Sequence, residues 1–155
     1  MPVFDLTTGW VNPANRPPWS ALSAVGRFRV PAGGGRFDRH YHRTDEIWLI
    51  DSGKAKVVTD GSEHYVQGGD VVVTQAGDTH DFVEVYEEVR GYFVEMGPPR
   101  PGQSGHLHRD PADAEGHAVP LRSEPADFPA RPVIVATPPH GPAGEARAPG
   151  GGERQ

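Results

Sequence analysis

Four side chains between residues 40 and 80 could together bind a metal ion: His40, His42, Glu46 and His80. His40 and His42 are two residues apart, so on a β-strand both side chains lie on the same face. Glu46 opens the apolar run EIWLI, and His80 follows a Gly-Asp pair that is typical of a turn. Three imidazoles and one carboxylate that converge in a small β-structure form a ligand set for a divalent transition metal ion.

The ligand types leave the identity of the metal open. Iron, manganese, nickel, copper and zinc all suit three imidazoles and a carboxylate, and we favour zinc or iron. Six-coordinate iron or manganese keeps two positions free for substrate or dioxygen. Tetrahedral zinc would be saturated unless a ligand moved away or a fifth ligand joined. A His-x-His pair also occurs on exposed strand faces that bind nothing, so the pair alone does not establish a metal site. The surrounding glycines provide the additional evidence.

The glycines on either side of the first three ligands complete a known motif. Gly34, His40, His42, Glu46 and Gly53 match, without a gap, the first motif of the cupin superfamily, G-x5-H-x-H-x3-E-x6-G. The chain therefore resembles a cupin, and the four ligands are the positions that hold the metal in that family.

The second motif of the family, G-x5-P-x-G-x2-H-x3-N, is matched at three positions and missed at two. Gly69, Gly77 and His80 agree with it, whereas Gln75 replaces the proline and Glu84 replaces the asparagine. The resemblance implies an all-β fold, the double-stranded β-helix or jelly-roll barrel of cupins. Cupins include dioxygenases, isomerases, lyases, cyclases, decarboxylases and binders without activity, so the fold alone does not name a function.

Two stretches, DEIWLIDSGKAKV and GDVVVTQAGDTHDFVEVYEEVRGYFVE, also resemble the cupin part of hydrazine synthetases. Those enzymes pair a zinc cupin with a methionyl-tRNA-synthetase-like domain and join two amino acids through an N–N bond. The resemblance implies a metal-dependent enzyme that acts on a small polar metabolite, with a separate synthetase-like protein as a partner. The alternatives are an Fe(II)-dependent dioxygenase and a non-catalytic, metal-stabilised binding cupin.

Glu84 is the predicted catalytic residue. It has the same parity as His80, so it is expected to point into the barrel near the metal. A carboxylate beside a cation stays ionised and could accept a proton from the substrate. The alternative is that the strand twists and leaves Glu84 in solvent, because parity fails at a bulge.

Several other side chains are candidates for the surroundings of the metal. The candidate cavity walls, for which core packing is the alternative, are Trp48, Phe82, Tyr86 and Tyr92. Arg36 could grip a substrate carboxylate if it points inward, although an outward arginine is commoner. Asp45 and Asp81 have the opposite parity to their neighbouring ligands and are expected at the surface or behind the ligands.

His106 and His108 repeat the His-x-His spacing, but they lie in a segment rich in proline and glycine. Nothing in the local sequence orients their rings. We expect no function for them unless this segment folds over the barrel mouth.

The elements that must position these residues are β-strands. From Val25 onward short alternating and apolar runs follow one another, with turn signals between them and no helical periodicity. EIWLI is predicted to be a strand buried on both sides, and DSGK a turn. Asp60-Gly61 predicts the tip of a hairpin.

The chain divides by composition into one barrel and its flanks. We predict an N-terminal arm (1–24), a barrel (25–97), an irregular extension (98–143) with a possible edge strand (132–137), and a disordered tail (144–155). The arm carries Trp10 and Trp19, which are expected to pack on the barrel or to cross to a second subunit. We expect a homodimer, for which exchange of the arm is one route.

The composition excludes several other classes of function. A formal net charge of −6 and the lack of a basic run argue against a nucleic-acid partner. No apolar run approaches the ~18 residues of a membrane span. The chain has no cysteine, so it forms no disulfide and has no thiolate ligand. The first residues lack the pattern of a signal peptide, and the cytoplasm is the expected compartment.

Overall fold

The computed structural model describes residues 1–33, 35–97 and 105–130. The predicted edge strand (132–137), the predicted tail (144–155) and Gly34 lie outside the described residues. The elements in chain order are β1 (Leu22–Val30), β2 (Arg36–Phe37), β3 (Asp45–Thr59), β4 (Ser62–Gln67), β5 (Val71–Thr74), β6 (His80–Met96), a 3-10 helix (Pro111–Glu115) and β7 (His117–Ala118). The fold is all-β, as predicted.

Two long antiparallel strands, β3 and β6, form the centre of the fold. The main sheet runs in the order β1-β6-β3-β4, and β5 pairs with β3 beside the start of that strand. β3 and β6 pair from Asp45 opposite Met96 to Thr59 opposite His80, so one strand pair runs through both halves of the barrel. A second, two-stranded sheet joins β2 to β7.

The predicted turn at DSGK is wrong, because β3 continues through it as a bulged strand. The pairing of β3 with β6 shifts register between Ile50 and Ser52 and again between Ser52 and Lys54. Gly53 lies within the second of these shifts and has a φ of 91°. A Cβ atom at Gly53 would lie 2.0 Å from the carbonyl oxygen of Glu88, so only glycine allows the two backbones to approach this closely. The bulge bends the strand and does not reverse it.

Two further predictions about local structure had different outcomes. Asp60 and Gly61 have φ values of 46° and 77°, which are the left-handed conformations of a tight hairpin turn, so the predicted hairpin is confirmed. EIWLI is not buried on both sides, since Leu49 is 41% exposed while Trp48 and Ile50 are buried. The strand therefore alternates between a core face and an outer face.

The hydrophobic core lies between the curved sheets and includes a residue of the C-terminal extension. Its buried members are Val30, Trp48, Ile50, Ala55, Val57, Val66, Phe82, Val85, Val89 and Val119. Val119 is fully buried, and the backbone of the adjacent extension bonds to the barrel through Val85 and Arg122. The part of the extension that the structure describes is thus docked on the barrel, although most of it is irregular.

The N-terminal arm is attached to the barrel by a valine. Val11 is buried and exchanges two backbone hydrogen bonds with Val25, at 2.8 and 3.0 Å. Trp10 is half exposed and Trp19 is 76% exposed, so Trp19 does not pack on the barrel of its own chain. Among the described residues, no helix is long and apolar enough to cross a membrane.

Candidate metal centre

The four predicted ligands lie together inside the barrel. One ligand atom from each of His40, His42, Glu46 and His80 lies within 4.8 Å of the other three, and all four residues are buried. The Nε2 atoms of His40 and His80 are 3.0 Å apart. Oε2 of Glu46 is 2.9 Å from Nε2 of His80 and 3.5 Å from Nε2 of His42. Backbone hydrogen bonds between His40 and His80 bring the two motifs to the same point.

Two polar atoms of this cluster are buried without a hydrogen-bond partner, namely Nε2 of His42 and Oε2 of Glu46. Leaving a buried polar atom unsatisfied costs about 1–3 kcal/mol, so such atoms need a partner that hydrogen bonds within the protein do not supply. A divalent transition metal ion would bond to both atoms at once. The donor set and its geometry therefore fit such an ion.

The backbone orients the rings of His40 and His80. Nδ1 of His40 lies 2.6 Å from the carbonyl oxygen of Asp38, and Nδ1 of His80 lies 3.2 Å from that of Asp78. Each ring donates through Nδ1 to a carbonyl two residues earlier, which leaves Nε2 with its lone pair facing the centre.

His42 has a different partner. The backbone of Gly105, in the C-terminal extension, lies near its ring and acts to raise the pKa of the imidazole. Nε2 of His42 lies 3.5 Å from Oε2 of Glu46, and Nδ1 lies 3.8 Å from Oε1 of Glu95. All three rings thus present Nε2 to the same point, and the ring of His42 also lies beside a residue of the C-terminal extension.

Burial keeps two of the rings neutral. It lowers the pKa of His40 to about 2, and the neighbouring rings of His80 and His106 act in the same direction. It lowers the pKa of His42 to about 4, against the opposing effect of the Glu46 carboxylate. Both imidazoles are therefore unprotonated at neutral pH, as a metal ligand must be.

A cavity of about 430 Å³ opens beside His40 and Glu46. Its walls are aromatic and polar, and the residues that matter for its chemistry are Phe28, Phe37, Trp48, Phe93, Arg27 and Glu95. Such a volume suits a small molecule, and the largely apolar walls lower the local dielectric constant, which strengthens the electrostatic effect of the polar groups.

The expectation that Glu84 points toward the metal is wrong. Val57 pairs with Phe82 but Lys56 pairs with Glu84, so Val83 is an extra residue in β6 and the parity of the strand slips by one. Phe82 remains in the core, whereas the side chain of Glu84 is 32% exposed on the outer face. There it accepts a hydrogen bond of 2.7 Å from the hydroxyl of Tyr86.

Glu95 is the carboxylate that the sequence reasoning missed. It pairs with Glu46 across the sheet, its side chain is only 16% exposed, and it lines the cavity. Its Oε1 atom lies 3.8 Å from Nδ1 of His42, and its Oε2 atom accepts a hydrogen bond from the hydroxyl of Thr44 at 3.3 Å. Burial raises the pKa of Glu95, and the charge of Glu46 raises it further. A lone carboxylate in the apolar run YFVEM was the signal that could have identified it.

The four aromatic candidates fall in three places. Trp48 lines the cavity and packs against the ring of His80, with ring centroids 5.1 Å apart. Phe82 stacks on Trp48 in the core, at 4.8 Å. Tyr86 packs against Tyr65 and Phe128 on the outer face, and Tyr92 pairs with the exposed Leu49. Of these four residues, Trp48 alone lines the cavity beside His40 and Glu46.

The remaining polar candidates point away from the cavity. Arg36 is exposed and donates to the carbonyl oxygen of Glu115 at 2.7 Å, so it does not grip a ligand in the barrel. Asp45 accepts a hydrogen bond from the backbone of Ala76. Asp81 is buried behind His80, where His117 donates to it at 2.8 Å.

The second His-x-His pair does not lie free of the barrel. The segment Gly105–Arg109, which we call the strap, lies against the barrel beside the cavity, and Leu107 pairs with Tyr41. The ring of His106 stacks on that of His40, with centroids 3.5 Å apart and planes at 2°. We expected a function for these histidines only if their segment folded over the barrel mouth, and the strap does lie beside the cavity.

Comparison with known proteins identifies the family. Residues 26–96 match the family model described as a cupin domain. Residues 26–96 of this chain form a cupin domain. The cupin domain ends at residue 96, so the strap lies outside it.

One known relative matches only part of this chain. Uncharacterized protein y4oW of Sinorhizobium fredii (strain NBRC 101917 / NGR234) is 36% identical over 86 residues, which are 54% of this chain and 40% of that protein. The match thus spans less than half the length of this curated relative.

Two solved structures show the same fold. A cupin 2 conserved barrel domain protein from Rhodopseudomonas palustris is 19% identical, with a TM-score of 0.51 over 64% of this chain and 66% of that chain. The DMSP lyase DddQ from Ruegeria pomeroyi DSS-3 is 21% identical, with a TM-score of 0.50 over 58% of this chain and 44% of that chain. At these identities the likeness shows a shared fold alone.

Proposed function

We propose that this cupin is a metal-dependent enzyme that acts on a small polar metabolite. The observation that carries the proposal is the position of the four-ligand cluster. Two of its members form part of the wall of a cavity that is also lined by the half-buried carboxylate of Glu95. A binding site that joins a metal-ligand set to a free acid–base group is the usual construction of a catalytic site.

The residues of the chain have separate roles in this proposal. His40, His42, Glu46 and His80 hold the ion, which when bound polarises a substrate group as a Lewis acid. Glu95 lies in the cavity wall, where it can exchange a proton with a substrate. The aromatic walls exclude water and hold the apolar part of the substrate.

A narrower form of the proposal is the joining of two amino-acid-derived amines through an N–N bond, which rests on the resemblance to hydrazine synthetases. The nitrogen of one amine attacks the hydroxylated nitrogen of the other, and the N–O bond breaks as the N–N bond forms. The attacking amine gives up a proton, and the hydroxyl group leaves with a proton as water. Because Glu84 faces outward, we assign the transfer of this proton to Glu95.

Metal analysis of the protein purified without chelators tests the proposal. We expect one divalent ion per chain, zinc or iron, and loss of that ion in a His80→Ala variant. A protein that stays metal-free after incubation with either ion would refute the proposal.

Turnover assays separate the three reaction classes. Formation of a hydrazine product from an N-hydroxylated amine and an amine, in the presence of a separate synthetase-like protein where activation is needed, supports N–N chemistry. Substrate-dependent consumption of dioxygen by the iron form would support the dioxygenase alternative. Tight ligand binding without turnover would support the binding cupin.

We also propose that the protein is a cytoplasmic homodimer. Leu49 pairs with Val71 and Ile47 with Val73 on the outer face of the main sheet, and Leu49, Val71 and Val73 are exposed. A contiguous exposed apolar patch marks a surface that associates with another protein surface. Light scattering should give twice the monomer mass, and Val73→Asp should give the monomer. A monomer at micromolar concentration in the unaltered protein would exclude the dimer.

A further inference from the structure

We propose that the strap (Gly105–Arg109) is a working part of the metal centre, in which His106 is a positioning residue that limits release of the ion. The strap lies outside the matched cupin domain, so this role belongs to the part of the chain that follows the barrel. The inference rests on the proposed function, because it requires an ion held by the four ligands.

The first step concerns His42. His40 and His80 donate through Nδ1 to carbonyls that lie two residues before them on the same strand segment. The ring of His42 lies beside the backbone of Gly105, in the strap, and His42, Gly105 and Leu107 line one cavity. The strap therefore forms part of the surroundings that hold this ligand ring, and such surroundings set the direction of a metal-binding imidazole.

The second step concerns His40. The ring of His106 lies flat on the ring of His40, at 3.5 Å between centroids. This contact closes the side of His40 that faces the strap, and it places His106 in the wall of the cavity. A ligand ring that is covered on one face cannot rotate away from the ion unless the covering ring moves first.

The third step concerns Asp38, which fastens the strap to the same ligand. One oxygen of its carboxylate, Oδ2, accepts hydrogen bonds from Nδ1 of His106 at 2.6 Å and from Nε2 of His108 at 2.8 Å. The backbone carbonyl of the same residue accepts from Nδ1 of His40. Asp38 thus holds the ligand with its main chain and the strap with its side chain.

The strap is also anchored independently of these rings. Tyr41 and Leu107 exchange two backbone hydrogen bonds, at 2.9 and 3.0 Å. Arg109 donates to the carbonyl of Gly77 at 2.6 Å and lies over the ring of Tyr41, 4.9 Å from its centroid. Because the backbone of the strap is held without His106, replacing that ring should change the metal centre and leave the fold intact.

Release of bound zinc into an excess of a chromophoric chelator tests the inference. We expect His106→Ala and Asp38→Ala to release zinc about 10–100-fold faster than the unaltered protein, the size of effect that partners of metal ligands usually have. Zinc content at saturation and the unfolding midpoint of His106→Ala should remain unchanged, since the His106 side chain is 46% exposed. His64→Ala is the matched control, because His64 is an exposed histidine on β4 that pairs with Val57, away from the ligands.

The visible spectrum of the Co(II)-loaded protein gives a second readout that a purely structural role would not move. We expect a changed spectrum in His106→Ala and an unchanged one in His64→Ala. Variants that release zinc at the rate of the unaltered protein and keep its cobalt spectrum would overturn the role of the strap, while the proposed function would stand. Failure of the unaltered protein to bind zinc, iron or cobalt would refute both.

Discussion

The chain contains the His-x-His spacing twice, and the two pairs have different roles. His40 and His42 are buried, and their Nε2 atoms face the same point as that of His80. His106 and His108 are partly exposed, and both donate to the carboxylate of Asp38. The same spacing therefore contributes candidate metal ligands in one region and hydrogen-bond donors that attach a neighbouring segment to Asp38 in the other.

The difference between the pairs comes from what surrounds them. In the first pair, His40 exchanges backbone hydrogen bonds with His80 at the start of β6. The pair therefore lies in the barrel interior, where burial keeps the rings neutral. The second pair lies in the strap, outside that site. Both of its rings donate hydrogen bonds to the carboxylate of Asp38. A motif of two residues places two rings on one face, but only the surrounding fold decides what those rings meet.

The largest expected effect is loss of a ligand from the first pair. His42→Ala should remove nearly all bound metal after dialysis and abolish any activity, because losing one ligand costs more than the ~10–100-fold of a supporting residue. Elemental analysis measures the metal, and His108→Ala serves as the control that removes the corresponding ring of the second pair. Full occupancy in His42→Ala would show that the two pairs do not differ in the way the geometry indicates.

The next effect contrasts two carboxylates of β6 that lie inside and outside the barrel. Glu95→Gln should keep the metal and lower turnover by about 10²–10⁴-fold, the usual contribution of a general acid or base. Glu84→Gln should leave both the metal content and the rate unchanged, since Glu84 contacts Tyr86 on the outer face. Metal content and rate measured on the same samples distinguish the residues. A large loss of rate in Glu84→Gln alone would reverse the assignment.

A moderate effect on stability tests whether the region that carries the second pair folds together with the barrel. Val119→Ala should lower the free energy of unfolding by about 2 kcal/mol, because it removes two buried methyl groups and leaves a cavity. Leu121→Ala is the control in the same segment, since Leu121 is exposed and its truncation should change stability by less than about 0.5 kcal/mol. Chemical denaturation should show one transition, and two transitions would mean that the extension unfolds separately.

The smallest effect concerns His108. Its ring contacts Asp38 but none of the four ligands, so His108→Ala should speed zinc release by only about a few-fold, below the ~10–100-fold expected for a residue that touches a ligand. The chelator assay measures the rate. An effect as large as that of His106→Ala would show that the two hydrogen bonds to Asp38 matter more than the stacking on His40.

Much of the site could be predicted from the sequence because its ligands follow local rules. The two-residue spacing of His40 and His42, the positions of Glu46 and His80, and the Asp60-Gly61 hairpin depend on strand periodicity and on turn conformation. These are properties of a few consecutive residues. Together with the glycines of the family motif they determined the all-β fold and the four-residue cluster.

Other features could not be predicted because they depend on residues far apart in the chain. The bulge at Val83 turns Glu84 outward, and it arises from the pairing of β6 with β3, which no local pattern records. The same holds for the DSGK stretch, where Gly53 allows the backbone of β3 to pass close to Glu88. The face of the sheet on which a side chain lies is determined only when the register between the two strands is set.

The order of residues alone shows which atoms are available to a metal, namely three imidazoles and a carboxylate at strand spacing. Which carboxylate shares the cavity with them, and what holds their rings in place, depends on the three-dimensional fold. Glu95 enters the cavity through cross-strand pairing with Glu46, and Gly105 and His106 reach the ligands because a later segment docks on the barrel. Docking of this kind depends on the summed burial of apolar surface and on backbone hydrogen bonds across the whole fold, which no spacing rule contains.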